Sequence, residues 1–280
     1  MRAYVINLKR SPERRANITA QLATHGIDYE IVEAVDGREL DLADPEVVNS
    51  IAPSFRAAEW FLPTHVACAM SHLSAYRKVL DAGLPWALVM EDDVTIPAGL
   101  PAIAEAVAAQ LTGAEVALLN FDSDQVVKVS GLGTAELPSG HELVLPLDVH
   151  VPVSAAGYVI TREACERITR GALPIRAKID DWGHVYDERM IDGLRCVVPL
   201  AIMKDPSFGS TIGYYADDSI KARVLKLSSR LKLPVLKRAV ARRRERIWRK
   251  YRQVEYVNEP VVSRTPRDAH LPVPGVSDML

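Results

Sequence analysis

The chain is 280 residues long, 48% hydrophobic and 25% charged, with a formal net charge of −2 at pH 7. That composition can bury a substantial core, in one large α/β domain or two small ones, and excludes disorder of the whole chain. The mild net charge conceals an imbalance: residues 221–253 hold 14 Lys and Arg against one Glu, about +13, so the remainder carries about −15.

Cys68, Cys165 and Cys196 are odd in number, widely spaced and set among apolar neighbours, which suits reduced buried thiols and a cytosolic setting better than a disulfide framework. Met1 leads directly into the strand-like AYVINL, with no basic-then-apolar leader, and no apolar run reaches the length of a membrane span.

In chain order, AYVINL reads as a buried strand. SPERRANITAQLATHG follows as a helix with Ser11 as N-cap, Pro12 at its first position and Gly26 as terminator. IDYEIVEAVDG is a second strand closing in a turn at Asp36 and Gly37, so the chain opens as a β-α-β unit. Val66, Met70, Leu73 and Leu80 recur at helical spacing up to Gly83, after which WALVM resumes a strand. Residues 98–111 form an Ala-rich helix, EVALLNF a strand, GLGTAELPSGHE a loop or hairpin, and AAGYVITREACERITRG a strand running into a helix. Regular patterning fades after about residue 215, and the Pro-rich end reads as a flexible tail.

The stretch WALVMEDDVTI carries Glu91, Asp92 and Asp93 out of an apolar strand. A strand of this kind delivers its acids to the carboxyl edge of a sheet, where open α/β folds bind ligands. Three like charges there repel one another unless a cation neutralises them, and oxygen ligands of this type suit Mg²⁺ or Mn²⁺ shared with substrate phosphates. An exposed acidic turn gives the same triplet, so EDD alone does not separate the two readings.

Four stretches in order, VINLKRSPERR, IVEAVDG, CAMSHLSAYRKVL and WALVMEDDV, closely resemble glycosyltransferase family 25, the bacterial lipooligosaccharide glycosyltransferases whose relatives include collagen galactosyltransferases. The resemblance covers residues 3 to about 212. It departs from the family where a GxxGC stretch is replaced by THVAC, with Thr64, His65 and Ala67.

The resemblance implies an α/β, GT-A-like single domain with a mostly parallel central sheet over residues 1–215. A basic helical extension at 216–253 and the tail at 254–280 lie beyond it. It implies an inverting hexosyltransferase using a nucleotide-sugar donor, UDP-galactose foremost, and a lipopolysaccharide, lipooligosaccharide or other cell-envelope glycan as acceptor. Asp93 and Glu91 then stand as ligands of Mn²⁺ or Mg²⁺, with Asp92 beside them on the donor.

Asn7, Arg10, Arg14 and Arg15 occupy the end of the first strand and the start of its helix, a place suited to phosphates, although a solvated first turn looks alike. Asp36 follows the second strand, as a nucleoside contact or a turn residue. Ser71 and His72 match the family's SH pair, while a helical His is more often structural. IDDWGHVY resembles the family's VDW segment, so Asp181, or else Asp180, is the base that takes the acceptor's proton; a helix N-cap is the plain alternative. DPSFGSTIG resembles the closing FPSTI, which puts Ser210 and Thr211 on the donor or in an ordinary loop.

Two other functions share these features: an inactive glycan- or nucleotide-binding protein, and a nucleotidyltransferase that releases pyrophosphate. Residues 221–252 alternate Lys and Arg with Val224, Leu227, Leu231, Ile247 and Trp248. They read as an amphipathic helix that docks on an anionic membrane, at the inner face of the cytoplasmic membrane, or on the acidic body of the same chain. Nucleic acid is not an expected partner.

Overall fold

The structure, a computed structural model, describes residues 1–40, 44, 47, 63–205, 207, 208 and 253–261. Strand β1 (Ala3–Asn7) is buried along its whole length. Its side chains alternate between two cores, as strand geometry requires: Tyr4 and Ile6 join one, Ala3 and Val5 the other. Helix α1 (Pro12–Thr24) packs Ile18 and Leu22 into the second core; truncating either to Ala would cost about 2–5 kcal/mol. Ser11 occupies the N-cap position, but its side chain makes no capping bond. The helix stops at Gly26, whose φ of 63° is left-handed and free of strain only without a Cβ. Strand β2 (Tyr29–Glu33) returns parallel to β1.

Helix α2 (Pro63–Asp81) leads to β3 (Trp86–Glu91) and the short β4 (Val94–Thr95). Helix α3 (Leu100–Ala108), β5 (Glu115–Leu118) and the hairpin β6 (Val127–Leu137) and β7 (His141–Pro146) follow. The chain continues through β8 (Gly157–Thr161), α4 (Arg162–Gly171), α5 (Trp182–Asp187), β9 (Gly193–Val198) and β10 (Met203–Lys204). A last strand, β11 (Val254–Val257), pairs with β6.

Nine strands form one sheet in the order β11-β6-β7-β9-β5-β8-β3-β1-β2. Helices α2, α4 and α5 cover one face with Leu73, Tyr76, Ile168 and Trp182; α1 and α3 cover the other with Leu22, Leu100 and Ile103. The result is a helix-sheet-helix sandwich.

The expectation of a mostly parallel sheet is corrected. β11/β6, β9/β5, β3/β1 and β1/β2 are parallel, but β6/β7, β7/β9, β5/β8 and β3/β8 are antiparallel. The reason is β8, which enters between β3 and β5 in the opposite sense, together with the hairpin that extends the far side. The stretch from 254 onward, expected as a flexible tail, begins with an ordered edge strand: Val127 N donates to Gln253 O at 2.8 Å and Ser130 Oγ to Glu259 O at 2.6 Å. Cys165 and Cys196 are free and buried, and Cys68 is free and half-buried, as expected for reduced thiols.

Candidate active site

The site begins in sheet register. β1 and β3 are parallel neighbours with Ile6 opposite Glu91, so Asn7 and the acidic triplet emerge together at one carboxyl edge. Asn7 is buried, and its Nδ2 donates to Asp92 Oδ2 at 2.7 Å and to Ser11 O at 3.2 Å. Arg14, buried in the first turn of α1, donates from Nη1 to Asp92 Oδ1 at 3.0 Å and to Asp93 Oδ2 at 3.3 Å. Its guanidinium also lies 5.4 Å from the centre of the Phe208 ring. Asp92 is thus held on both oxygens by protein groups, and its carboxyl is raised by burial even so.

Asp93 differs. Its Oδ1 is buried and has no hydrogen-bond partner among the described residues. Burial first, and the charge of Glu91 second, push its carboxyl up to about 6, with Arg14 countering only in part. A carboxylate oxygen that is dry and unpaired is costly and fits a cation. Lys204, on β10 opposite Val94, bonds Asp122 at 3.2 Å. Burial lowers its ammonium, but Asp122, Glu91 and Asp93 outweigh that and raise it. The hard oxygens of Asp93 and Glu91 are of the kind that could hold Mn²⁺ or Mg²⁺.

Behind the acids, α2 presents Cys68 and His72 one turn apart. Cys68 Sγ and His72 Nε2 each lie 3.9 Å from Glu91 Oε1. His72 is fully buried, with its Nδ1 2.6 Å from the Tyr158 hydroxyl, which is in turn 2.6 Å from the Tyr76 hydroxyl. Burial, with Glu91 adding to it, holds the Cys68 thiol well above its ordinary value.

The other expected residues divide. Ser71 lines the cleft, but its hydroxyl is engaged, accepting from Val35 N at 2.9 Å and donating to Ala67 O at 2.6 Å, so it ties the β2 loop to α2. The same loop crosses α2 at Gly37, where a Cβ would sit 2.8 Å from Thr64 Cα; only glycine permits that approach. Asp36 is clamped by Arg38 and by Arg10, whose Nε donates at 2.8 Å. Hydrogen bonds from Arg38, then from Arg10, hold its carboxyl well below the usual range. Arg15, exposed, lines no part of the cleft.

Asp181 is the N-cap of α5, accepting from His184 N at 3.1 Å. Asp180, its neighbour, carries a carboxyl raised by burial, with the charge of Glu91 acting in the same direction against Lys178. Trp182, fully buried, anchors this segment by donating from Nε1 to Ser154 O at 2.8 Å and packing edge-on against Tyr158. Ser210, Thr211 and residues 221–252 lie outside the described residues.

Arg10, Arg14, Gly37, Cys68, Asp92 and Asp93 are among the residues that line one open cleft. Sequence reasoning missed Cys68 and Lys204. Cys68 was findable, since it stands four residues before His72 on one helix face; Lys204 carries no local signal.

The family described as glycosyltransferase family 25 (LPS biosynthesis protein) matches residues 1–182. The chain is 31% identical over 173 residues to the lacto-N-neotetraose biosynthesis glycosyltransferase LgtE of Neisseria gonorrhoeae, covering 59% of this chain and 58% of that protein. It is 36% identical over 95 residues to human procollagen galactosyltransferase 2, covering 32% of this chain and 15% of that one. It is 33% identical over 95 residues to the mouse protein named inactive glycosyltransferase 25 family member 3, covering 32% of this chain and 16% of that protein. The match thus spans little more than half of the bacterial relative and a small part of the mammalian ones. With the family's motifs gathered at one cleft, and two thirds of the chain matched, the chain belongs to glycosyltransferase family 25.

Proposed function

We propose that the chain is an inverting hexosyltransferase that moves galactose from UDP-galactose to a hydroxyl of a lipopolysaccharide, lipooligosaccharide or related cell-envelope glycan, on a GT-A-like scaffold. The observation that carries this reading is the buried Asp93 Oδ1, without a partner among the described residues, beside Glu91 in a cleft that also presents Arg10 and Arg14. The printed names of the relatives, a lacto-N-neotetraose glycosyltransferase and a procollagen galactosyltransferase, support hexosyl transfer.

Asp93 and Glu91 would hold Mn²⁺ or Mg²⁺, which when bound supplies positive charge to the diphosphate leaving group. The protein's own part is mostly positioning. Asn7 and Arg14 lock Asp92 and one oxygen of Asp93, so that the remaining oxygens are preorganised and little is reorganised when the donor arrives. Arg10, an exposed guanidinium at the mouth, is the group to meet the donor's phosphates. Asp180 is the better base of the two candidates: Asp181 is committed to α5, while the raised carboxyl of Asp180 suits proton abstraction from the acceptor hydroxyl.

Residues 221–252 are proposed to dock on an anionic membrane carrying a lipid-linked acceptor, at the cytoplasmic face. Among the described residues no helix is long and apolar enough to cross a membrane.

The test is a thermal-shift panel of UDP-, GDP- and CMP-sugars with and without Mn²⁺, followed by product analysis. UDP-galactose with Mn²⁺ is expected to give the largest rise, and binding at a hundredfold over Kd adds about 2.7 kcal/mol. UDP release with a glycan acceptor completes the assignment. The mouse relative's printed name favours a second reading, binding without turnover; a thermal shift with no UDP released would select it. Pyrophosphate as product would replace both with nucleotidyl transfer.

A further inference from the structure

The acids at the edge of β3 account for Asp93 but not for the groups behind it. His72 is fully buried, and its Nε2 has no hydrogen-bond partner among the described residues. The ring is not free to turn away, because Nδ1 is held by Tyr158 and Tyr158 by Tyr76. Such a chain holds the ring in place and aims the second nitrogen, as outer-shell partners do for metal-ligating histidines. What Nε2 faces is Glu91 Oε1, 3.9 Å away and too far for a hydrogen bond. Cys68 Sγ lies 3.9 Å from the same oxygen, and the three ligand atoms all fall within 4.8 Å of one another.

We propose that Cys68 Sγ, His72 Nε2 and Glu91 Oε1 form a three-ligand site for a borderline-soft divalent cation, Zn²⁺ above all, with its fourth position open to the cleft. Zn–S of about 2.3 Å and Zn–N and Zn–O of about 2.0–2.2 Å put tetrahedral ligand atoms roughly 3.3–3.7 Å apart. The pairs with Glu91 need to close by only a few tenths of an ångström. One sulfur, one imidazole and one carboxylate select Zn²⁺ or Co²⁺ over the Mg²⁺ or Mn²⁺ that suits Asp93. On binding, the thiol proton leaves to solvent and the thiolate ligates. The site does not depend on the transfer reaction proposed above, although it shares Glu91 with that reaction's cation.

The test uses the full chain, freed of metal with a chelator and titrated with Co²⁺ alone. The site predicts one equivalent bound, a thiolate-to-cobalt charge-transfer band in the near ultraviolet and intense visible bands of four-coordination, all displaced by Zn²⁺. Cys68→Ser abolishes the charge-transfer band. His72→Gln weakens Co²⁺ binding at least about tenfold, and Tyr158→Phe about 10–100-fold as an outer-shell loss. Asp93→Asn leaves the band intact, which separates this site from the hard-oxygen one. Circular dichroism checks the buried His72 variant; should it not fold, the Cys68 and Asp93 variants still decide. No charge-transfer band in the parent protein, a band that survives Cys68→Ser and so comes from Cys165 or Cys196, or a band lost in Asp93→Asn would overturn the proposal.

Discussion

Two parts of the same sheet bury carboxylates in opposite ways. At the start of β5, Glu115 is buried and saturated: Arg195 on β9 donates to both of its oxygens at 3.0 and 3.2 Å, and Thr112 N donates at 2.7 Å. At the end of β3, Asp93 is covered nearly as well but keeps one dry oxygen without a partner among the described residues, with Glu91 and Asp92 adjacent. The second arrangement costs stability, since a buried carboxylate oxygen without a partner is expensive and two like neighbours add to it, against the one ion pair with Arg14. The first corner holds the sheet together; the second is the one proposed above to bind a cation. Stability and function therefore call for opposite responses to mutation at the two places.

The comparison breaks hardest at Arg195→Ala, which strands Glu115 without its cation. A loss of about 3–5 kcal/mol is expected in urea unfolding, and a loss under about 1 kcal/mol would mean that the corner is not structural. Next is Tyr158→Phe, which leaves His72 Nδ1 and the Tyr76 hydroxyl without their shared partner. Here about 1–3 kcal/mol is expected, read from the same curves.

Asp93→Asn should do the reverse and raise the stability of the metal-free protein, by about 0.5–2 kcal/mol as for other relieved functional sites. The sign follows from its raised carboxyl. Between 3.8 and about 6 the folded state holds a proton that the unfolded chain has released, so stability falls as pH rises through that window and stays low above it. The Asn variant lacks this fall, and its advantage should be present at pH 7 and vanish near pH 4. Parallel pH profiles of the two proteins would contradict the strained-acid picture.

The smallest effect belongs to His150, an exposed ring bridging Asp187 and Asp148 at 2.9 Å each. The bond to Asp187 first, and that to Asp148 next, raise its pKa above 6.5. Its contribution is complete below 6.5 and lost as pH rises through the raised value. Solvent screening keeps it under about 1 kcal/mol. His150→Gln should lower the melting temperature slightly at pH 6 and not at pH 8; an equal change at both would make it a packing effect.

What the sequence showed and what it hid follow from range. Gly26 and the apolar spacing of Ile18 and Leu22 are local signals, so the opening β-α-β unit was legible, as was the delivery of Glu91 to Asp93 to a sheet edge. Strand direction is not local: nothing in GYVIT records that β8 runs against both β3 and β5. VEYV was too short to stand out from a Pro-rich end, although it closes the sheet on β6. At the site, residue type could not show that Asp181 rather than Asp180 caps α5, because that depends on where the N–H of His184 falls. Nor could the sequence show that Asn7 and Arg14 both bond Asp92, since the partners stand 85 and 78 residues apart.

The most direct measurement is Mn²⁺-dependent release of UDP from UDP-galactose by Asp93→Asn beside the parent protein, with melting temperatures taken on the same samples. Turnover should fall on the order of a hundredfold or more, as when one preorganised electrostatic partner is removed, while the metal-free melting temperature holds or rises. Turnover equal to that of the parent protein would contradict the assignment of the unpaired oxygen of Asp93 to the donor's cation.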